Sequence, residues 1–305
     1  MALDPVTAQI NELVQAVRKD APPPTVAAMR EGWAQLIAQV GTAEMQCKVE
    51  SINVGDLTAL SFTPPSCDDG LVVWFHGGGW VVGSPSTAAN EVDRLAVAGR
   101  CRILSVDYRL APEHPFPASQ LDGVASAKWC LEHAGDFDAD DRCVAVGGDS
   151  AGGNLAAVAA QRVPGLCAQV LVYPGCDLGS ERQARFEHTE GYLLDGESID
   201  FFFQQVGPAD RSDPLISPMF ADEATLAASP PALVITAEYD PLRVECAEYA
   251  AKLRDTGVPV DELHFDRQMH GFFSMPEVLE DARIAIERAA SFLDDRFAAA
   301  RGSAP

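Results

Sequence analysis

A serine between two glycines lies where a short apolar run meets a helical pattern. The run Cys143–Val146 is followed by Gly-Asp-Ser-Ala-Gly at 148–152, and the helical pattern begins at Ala151. In a G-x-S-x-G motif a sharp strand-to-helix turn exposes the serine hydroxyl, and the glycines let strand and helix approach closely. We therefore interpret Ser150 as a nucleophile. The pattern is short, so a structural glycine-rich turn is the alternative.

A second glycine-rich segment favours the nucleophile. Leu71–Phe75 is an apolar run typical of a buried strand, and His-Gly-Gly-Gly-Trp follows at 76–80. Acyl transfer places negative charge on the former carbonyl oxygen, and preorganised backbone N–H groups stabilise that charge. An H-G-G-G loop supplies one half of such an oxyanion hole in lipases and esterases, and the residue after the nucleophile, here Ala151, supplies the other.

The base and the acid should follow the serine in the order acid, then histidine. Of the six histidines, His270 follows an alternating strand-like run and is the predicted base. His76 belongs to the glycine loop, and His114 and His133 precede the serine. His188 lies in a polar irregular stretch, and His264 lies inside the strand pattern.

The predicted acid follows another apolar run, Pro231–Ala237. Asp240 lies just beyond its carboxyl end, which is the edge where open α/β sheets place their chemistry. Glu238 and Asp266 are alternatives. An aspartate before a proline is also a common turn former, which is the structural alternative for Asp240.

These segments resemble the hormone-sensitive lipase family, the bacterial family IV esterases. The resemblance is carried by five motifs spread over most of the chain: His76–Trp80, Asp107–Glu113, Gly147–Asn154, Tyr239–Arg243 and His270–Phe272. It implies an α/β-hydrolase fold and hydrolysis of short-chain to medium-chain carboxylic esters, without a metal or another cofactor. One departure is Val244, where an acidic residue often follows Asp-Pro-Leu-Arg.

The resemblance also assigns roles to individual residues. Ser150 is then the nucleophile, Asp240 the acid and His270 the base. The oxyanion donors correspond to Ala151 and the loop glycines Gly78 and Gly79, with Gly77 as a further candidate, and the motif residues His76 and Asp149 support the site.

Composition limits the partners and the compartment. The chain has 305 residues, 47% of them hydrophobic, and a formal net charge of −23. Nucleic acid and anionic membrane surfaces are therefore poor partners. With no apolar run of 18 residues and no leader-like N-terminus, we expect a soluble, cytoplasmic protein. The eight cysteines form no C-x-x-C pair and indicate neither a disulfide framework nor a zinc site; a homodimer remains open.

The remaining pattern alternates strands and helices and predicts a doubly wound, mostly parallel sheet of eight strands. Strands are predicted near 48–53, 57–63, 71–76, 101–107, 143–148, 168–173, 232–237 and 260–265, and helices near 87–99, 119–134, 151–162, 241–256 and 277–298. Residues 1–42 and 178–224 do not fit, and the resemblance implies that they form a helical cap over a catalytic domain of residues 43–177 and 225–305. Phe201–Phe203 then belong to a helix core or to a substrate wall.

The sequence thus predicts a serine carboxylesterase acting on small-molecule esters through an acyl-enzyme. A lactone, amide or carbamate would suit the same triad. A non-catalytic ligand-binding protein on this fold is a further alternative, which the presence of all three triad residues disfavours.

Overall fold

Eight strands form one sheet in the computed structural model, which describes residues 2–19, 25–40, 43–179, 191–207 and 210–302. The strands are β1 (Lys48–Val54), β2 (Leu57–Thr63), β3 (Leu71–Phe75), β4 (Arg102–Asp107), β5 (Val144–Asp149), β6 (Ala168–Val172), β7 (Ala232–Tyr239) and β8 (Val260–Met269).

The sheet is mostly parallel. Its order is β1-β2-β4-β3-β5-β6-β7-β8, in which β2 pairs antiparallel with β1 and β4 while all other neighbours are parallel. The predicted eight-stranded fold is confirmed, with element boundaries within four residues. Because the parallel strands run in one direction, the segments that follow β3, β5, β7 and β8 meet at one edge of the sheet.

Helices cover both faces of the sheet. In the described part of the chain they are α1 (Pro5–Lys19), α2 (Val26–Gln39), α3 (Ala89–Gly99), α4 (Ala118–Glu132), α5 (Ala151–Arg162), α6 (Gly196–Val206), α7 (Glu223–Ala227), α8 (Arg243–Asp255) and α9 (Glu280–Gly302). One core contains side chains of α4, α5 and α8, and the other contains those of α3 and α9. Along β3, Val73 belongs to the first core and Val72 to the second, so that the strand is apolar on both faces.

The two N-terminal helices are attached by arginines. Arg18 of α1 donates to the carbonyl of Leu193 at 2.8 Å and to Asp195 at 3.1 Å. Arg30 of α2 donates to the carbonyl of Val81 at 2.9 Å and forms two 2.7 Å hydrogen bonds with Glu113. The first contact joins α1 to the segment that precedes α6, and the second joins α2 to the loop that follows β3.

Among the described residues, no helix is both long enough and apolar enough to cross a bilayer.

Candidate active site

Ser150 lies in a tight turn between β5 and α5. Its backbone has φ 54° and ψ −117°, a left-handed conformation that a non-glycine residue rarely adopts. A Cβ on Gly152 would collide with the carbonyl of Phe75, and one on Gly148 would lie 2.5 Å from the backbone of Gly152 and from the same carbonyl. The two glycines therefore permit the approach of α5 to β3 that holds the turn in this conformation.

Three side chains form a hydrogen-bonded chain across the edge of the sheet. Ser150 Oγ lies 2.8 Å from His270 Nε2, and His270 Nδ1 lies 2.7 Å from Asp240 Oδ2. His270 and Asp240 are 6% and 4% exposed, so water hardly competes for these bonds. The structure thus brings together residues that are 120 and 30 positions apart in sequence.

Asp240 is held from both sides. Its Oδ1 accepts the backbone N–H of Leu242 at 2.8 Å, while Oδ2 faces the imidazole. The alternative acids lie elsewhere: Glu238 pairs with Arg243 at 3.3 Å, and Asp266 lies 3.6 Å from His264 Nε2.

Histidines that the sequence set aside have other surroundings. His264 lies in β8 and contacts Thr236 and Glu238 at 2.9 and 3.1 Å. His188 falls outside the described residues.

The glycine loop lies beside the serine turn. Gly77 donates its N–H to Asp149 Oδ1 at 2.8 Å, so this amide is already engaged. Gly78 and Gly79 have φ angles of 123° and 59°, which favour glycine. Among the described residues, none accepts a hydrogen bond from the N–H groups of Gly78, Gly79 or Ala151. These three donors are therefore available to a ligand, and Gly79 and Ala151 lie in the same cleft as Ser150.

His76 anchors the loop and does not titrate near neutral pH. Burial lowers the pKa of His76 to about 4, and its hydrogen bond with the carbonyl of Gly77 at 2.8 Å acts in the opposite direction. Its ring stacks on Tyr108 with centroids 4.3 Å apart, and the Tyr108 hydroxyl donates to the His76 carbonyl at 2.7 Å. His76 is therefore a neutral residue that fixes the backbone.

A cleft opens onto Ser150, and its volume is about 440 Å³ when the part open to solvent is included. Its wall is almost entirely apolar: Gly79, Trp80, Ala151, Gly175, Leu178, Leu194, Ile199, Phe202, Phe203, Leu242 and Glu245. Phe202 lies directly against Gly79, where any Cβ would overlap the phenyl ring. All three consecutive phenylalanines pack in or against the core, and Phe202 and Phe203 also line the cleft whereas Phe201 does not.

Sequence reasoning missed the role of Glu245 in this wall. Its buried carboxylate accepts the backbone N–H groups of Cys176 and Asp177 at 2.7 and 3.2 Å, which fixes the loop after β6. The available sequence signal was a carboxylate, Glu245, directly after Val244, where this sequence departs from the family pattern. That departure leaves Arg243 paired with Glu238.

Metal-binding side chains do not converge on this cleft in the described part of the chain. One group of metal-ligand side chains does occur among the described residues: Asp69, Asp140 and Cys143. It lies just before β3 and β5, at the edge of the sheet opposite to the cleft. Arg301 and Arg142 pair with its two carboxylates.

The serine turn, the Ser150–His270–Asp240 hydrogen bonds and the mostly parallel sheet are together typical of one class of hydrolases. Residues 72–274 match the alpha/beta hydrolase fold family, and the protein belongs to that family. The resemblance drawn from the motifs is thereby confirmed.

Three similar proteins are esterases by name. The carboxylic ester hydrolase LipN of Mycobacterium tuberculosis is 39% identical over 67% of this chain and 57% of its own length. The carboxylesterase NlhH of the same species is 36% identical over 80% of this chain and 81% of its own. The solved structure of a hyperthermophilic esterase from Pyrobaculum calidifontis superposes with a TM-score of 0.88, at 35% identity, over 97% of this chain and 99% of its own.

The close contact of Gly152 with the Phe75 carbonyl leads to a testable prediction. Gly152→Ala should lower the free energy of unfolding by about 1 to 3 kcal/mol, because the backbone of Phe75 cannot move away from the added methyl group. Gly32→Ala is the control: it lies within α2 with nothing near its Cβ position, and should raise that free energy by up to about 1 kcal/mol. Denaturant titrations measure both. Wild-type stability of Gly152→Ala would contradict the close approach of α5 and β3.

Proposed function

We propose that the protein is a serine carboxylesterase that hydrolyses short-chain to medium-chain acyl esters through a covalent acyl-enzyme. The observation that carries the proposal is the hydrogen-bonded chain from Ser150 through His270 to Asp240, with contacts of 2.8 and 2.7 Å, at the end of an apolar cleft. The names of similar proteins, carboxylesterase and esterase, support the same reaction class.

The proposed reaction begins at Ser150. Its Oγ attacks the ester carbonyl while His270 Nε2 accepts the hydroxyl proton, and the carboxylate of Asp240 holds the imidazole in the required tautomer and stabilises its cationic form. His270 then donates that proton to the leaving alcohol. Water next attacks the acyl-enzyme with the same group as base, which releases the acid and restores the Ser150 hydroxyl.

Backbone donors are proposed to stabilise the tetrahedral intermediate. The N–H groups of Gly78, Gly79 and Ala151 are the candidates, because none of them has an acceptor among the described residues, and Gly79 and Ala151 line the cleft with Ser150. Gly77 is a weaker candidate, since its N–H already donates to Asp149. Removing one such donor typically costs about 10²- to 10³-fold in turnover.

We assign the cap of this enzyme to residues 1–42 and 178–224, and the catalytic domain to residues 43–177 and 225–305. Two contacts of described residues support the division. Arg18 ties α1 to Leu193 and Asp195, so the two cap segments meet. Cap residues also face the nucleophile, because Phe202 and Phe203 line the cleft.

We expect the ligand to be a small ester and the working compartment to be the cytoplasm, with neither nucleic acid nor membrane as partner. The net charge of −23 supports the exclusion of polyanions. Cell fractionation tests the compartment, and sedimentation of the purified protein tests whether it forms a homodimer.

Substitution of the acid tests the proposed roles. Asp240→Asn should lower kcat about 10⁴-fold, because an amide favours the wrong imidazole tautomer. Ser150→Ala should lose at least as much, since no acyl-enzyme can form. The measurement is kcat/KM for p-nitrophenyl butyrate, with circular dichroism to show that each variant folds.

Glu238→Gln is the matched control, because Glu238 lies two residues before Asp240 and pairs with Arg243 and His264 instead of His270. It should stay within a few-fold of the wild type. A severe loss in Glu238→Gln together with a mild one in Asp240→Asn would show that the acid has been misassigned.

The cleft predicts a limit on acyl length. Each buried methylene should add up to about 0.8 kcal/mol of binding until the cleft is full, so that kcat/KM peaks between about two and eight carbons. Phe202→Ala should raise the activity on longer esters relative to butyrate, because its ring borders Gly79 at the cleft. Phe201→Ala, on the same helix but outside the wall, should leave that ratio unchanged.

A p-nitrophenyl ester series measures the effect, alongside lactone and amide substrates of similar size. A maximum at twelve carbons or beyond, or activation by emulsified triglyceride, would indicate a lipase. Faster turnover of a lactone or an amide would replace the ester as the substrate class.

A further inference from the structure

A buried carboxyl group on α3 has no part in the mechanism described above. Glu91 lies in the first turn of that helix with 2% of its surface exposed, and its Oε2 has no hydrogen-bond partner among the described residues. Burial, and then the charge of Asp149, raises the pKa of Glu91 well above its ordinary value, while its own N–H and the Ser274 hydroxyl act in the opposite direction. In the described part of the chain, no lysine or arginine acts on this carboxyl.

Helix α3 packs against the turn Phe272–Ser274, which follows His270, and the charge of Asp149 acts on Glu91. Asp149 directly precedes Ser150, is 3% exposed, and accepts the Gly77 N–H at 2.8 Å. A Cβ on Gly77 would overlap the carboxylate, so Asp149 and the glycine loop are in direct contact. Burial raises the pKa of Asp149 to about 6, whereas the Gly77 N–H and the charge of His270 act in the opposite direction.

The phenols around the pair are neutral. The Tyr173 ring lies 4.4 Å from the His270 ring, and burial, then the charges of Asp149, Glu91 and Asp240, raise the pKa of Tyr173 well above its ordinary value. Burial, then the charge of Asp149, does the same for Tyr108. Neither phenol therefore adds a charge beside the two carboxyl groups.

Two carboxyl groups in such surroundings do not both ionise, because each anion would be desolvated and would repel the other. Asp149 has a backbone N–H donor on one oxygen and the charge of His270 nearby. Glu91 has one oxygen with no donor at all. The anion is therefore better stabilised on Asp149, and the proton belongs on Glu91.

We propose that Glu91 is a positioning residue that carries, at neutral pH, the one proton held by the Glu91–Asp149 pair. Asp149 then remains an anion, which accepts the Gly77 N–H and stabilises the imidazolium form of His270. The benefit to His270 rests on the proposed function, since the imidazolium arises during acyl transfer. The location of the proton does not.

The pH dependence of unfolding tests where the proton lies. Glu91→Gln replaces a neutral acid by a neutral amide of similar shape. Glutamate in the unfolded chain ionises near pH 4.3, so folding of the wild type takes up a proton above about pH 5 and folding of the variant does not. A raised folded-state pKa gives stability that is lost as pH rises. The wild-type unfolding constant, divided by that of Glu91→Gln, should therefore increase about tenfold per pH unit from about pH 5 upward, until the raised pKa of Glu91 in the folded protein is reached.

Asp93→Asn is the matched control for that titration. Asp93 lies on the same helix, is 2% exposed, and accepts the N–H groups of Gln46 and Cys47 at 2.8 to 3.1 Å. This variant should lose stability by a constant factor over the same range. A constant ratio for Glu91→Gln as well would show that Glu91 folds as an anion and would overturn the proposal.

The pH–rate profile tests the effect on His270. Asp149→Asn keeps an oxygen for Gly77 but removes the charge, so the imidazolium is less stable and the acidic limb should move to lower pH while kcat falls. Glu91→Gln should leave the limb at its wild-type position, because the lost group was already neutral. A limb that stays in place in Asp149→Asn, or that moves in Glu91→Gln, contradicts the proposed electrostatic role.

An infrared measurement on the wild type keeps the proposal testable if a variant does not fold. Protein labelled with ¹³C-carboxyl glutamate should show the C=O stretching band of a protonated acid at neutral pH, and absence of that band would refute the proposal. If the wild type hydrolyses no ester, the proposed function fails, yet the infrared band and the unfolding titration still report on Glu91.

Discussion

The structure depends on the close approach of β3, β5 and α5 at Gly148 and Gly152. A side chain at Gly152 would occupy the position of the Phe75 carbonyl. That approach holds Ser150 at a positive φ, in a turn that leaves its hydroxyl within hydrogen-bond reach of His270. It also brings the glycine loop after β3 beside the first turn of α5. The Ser150 hydroxyl and the candidate oxyanion donors are therefore brought together because Gly148 and Gly152 carry no side chain.

Two sets of buried titratable side chains act on the active site. His270 and Asp240 are nearly excluded from water, and their hydrogen bond is correspondingly strong. Asp149 and Glu91 are also buried, and neither forms an ion pair with a lysine or arginine among the described residues. Groups whose surroundings drive their pKa values apart take different protonation states. In the proposed arrangement Glu91 is the neutral acid and Asp149 the anion, so the imidazole gains a negative neighbour while only one of these two carboxyls is charged.

The fold and the three hydrogen-bonded residues of the candidate site could be predicted from the sequence for physical reasons. Parallel strands buried on both faces are continuous apolar runs, and the residues that follow them reach the same edge of the sheet. Ser150, Asp240 and His270 could thus be selected by order and position. The proposed cap was inferred only from resemblance, because residues 1–42 and 178–224 fall outside the alternation of strands and helices that predicts the sheet.

Other features depend on contacts between distant segments and could not be read locally. The engagement of the Gly77 N–H by Asp149 joins the ends of β3 and β5. Phe202 reaches Gly79 from a helix more than a hundred residues away. Glu91 did leave a signal, since it lies one helical turn before Leu95 on the buried face of α3. That signal marks a carboxyl inside the core without identifying its neighbour.

The central claim is that Ser150 is the activated nucleophile. Reaction of the purified protein with a fluorophosphonate, followed by peptide mass spectrometry, tests it most directly, because only a serine activated by a base attacks the reagent at an appreciable rate. We expect one adduct per chain, on the peptide containing Ser150, with loss of ester hydrolysis in proportion to labelling. An adduct on another residue, or full activity after complete labelling of Ser150, would contradict the account.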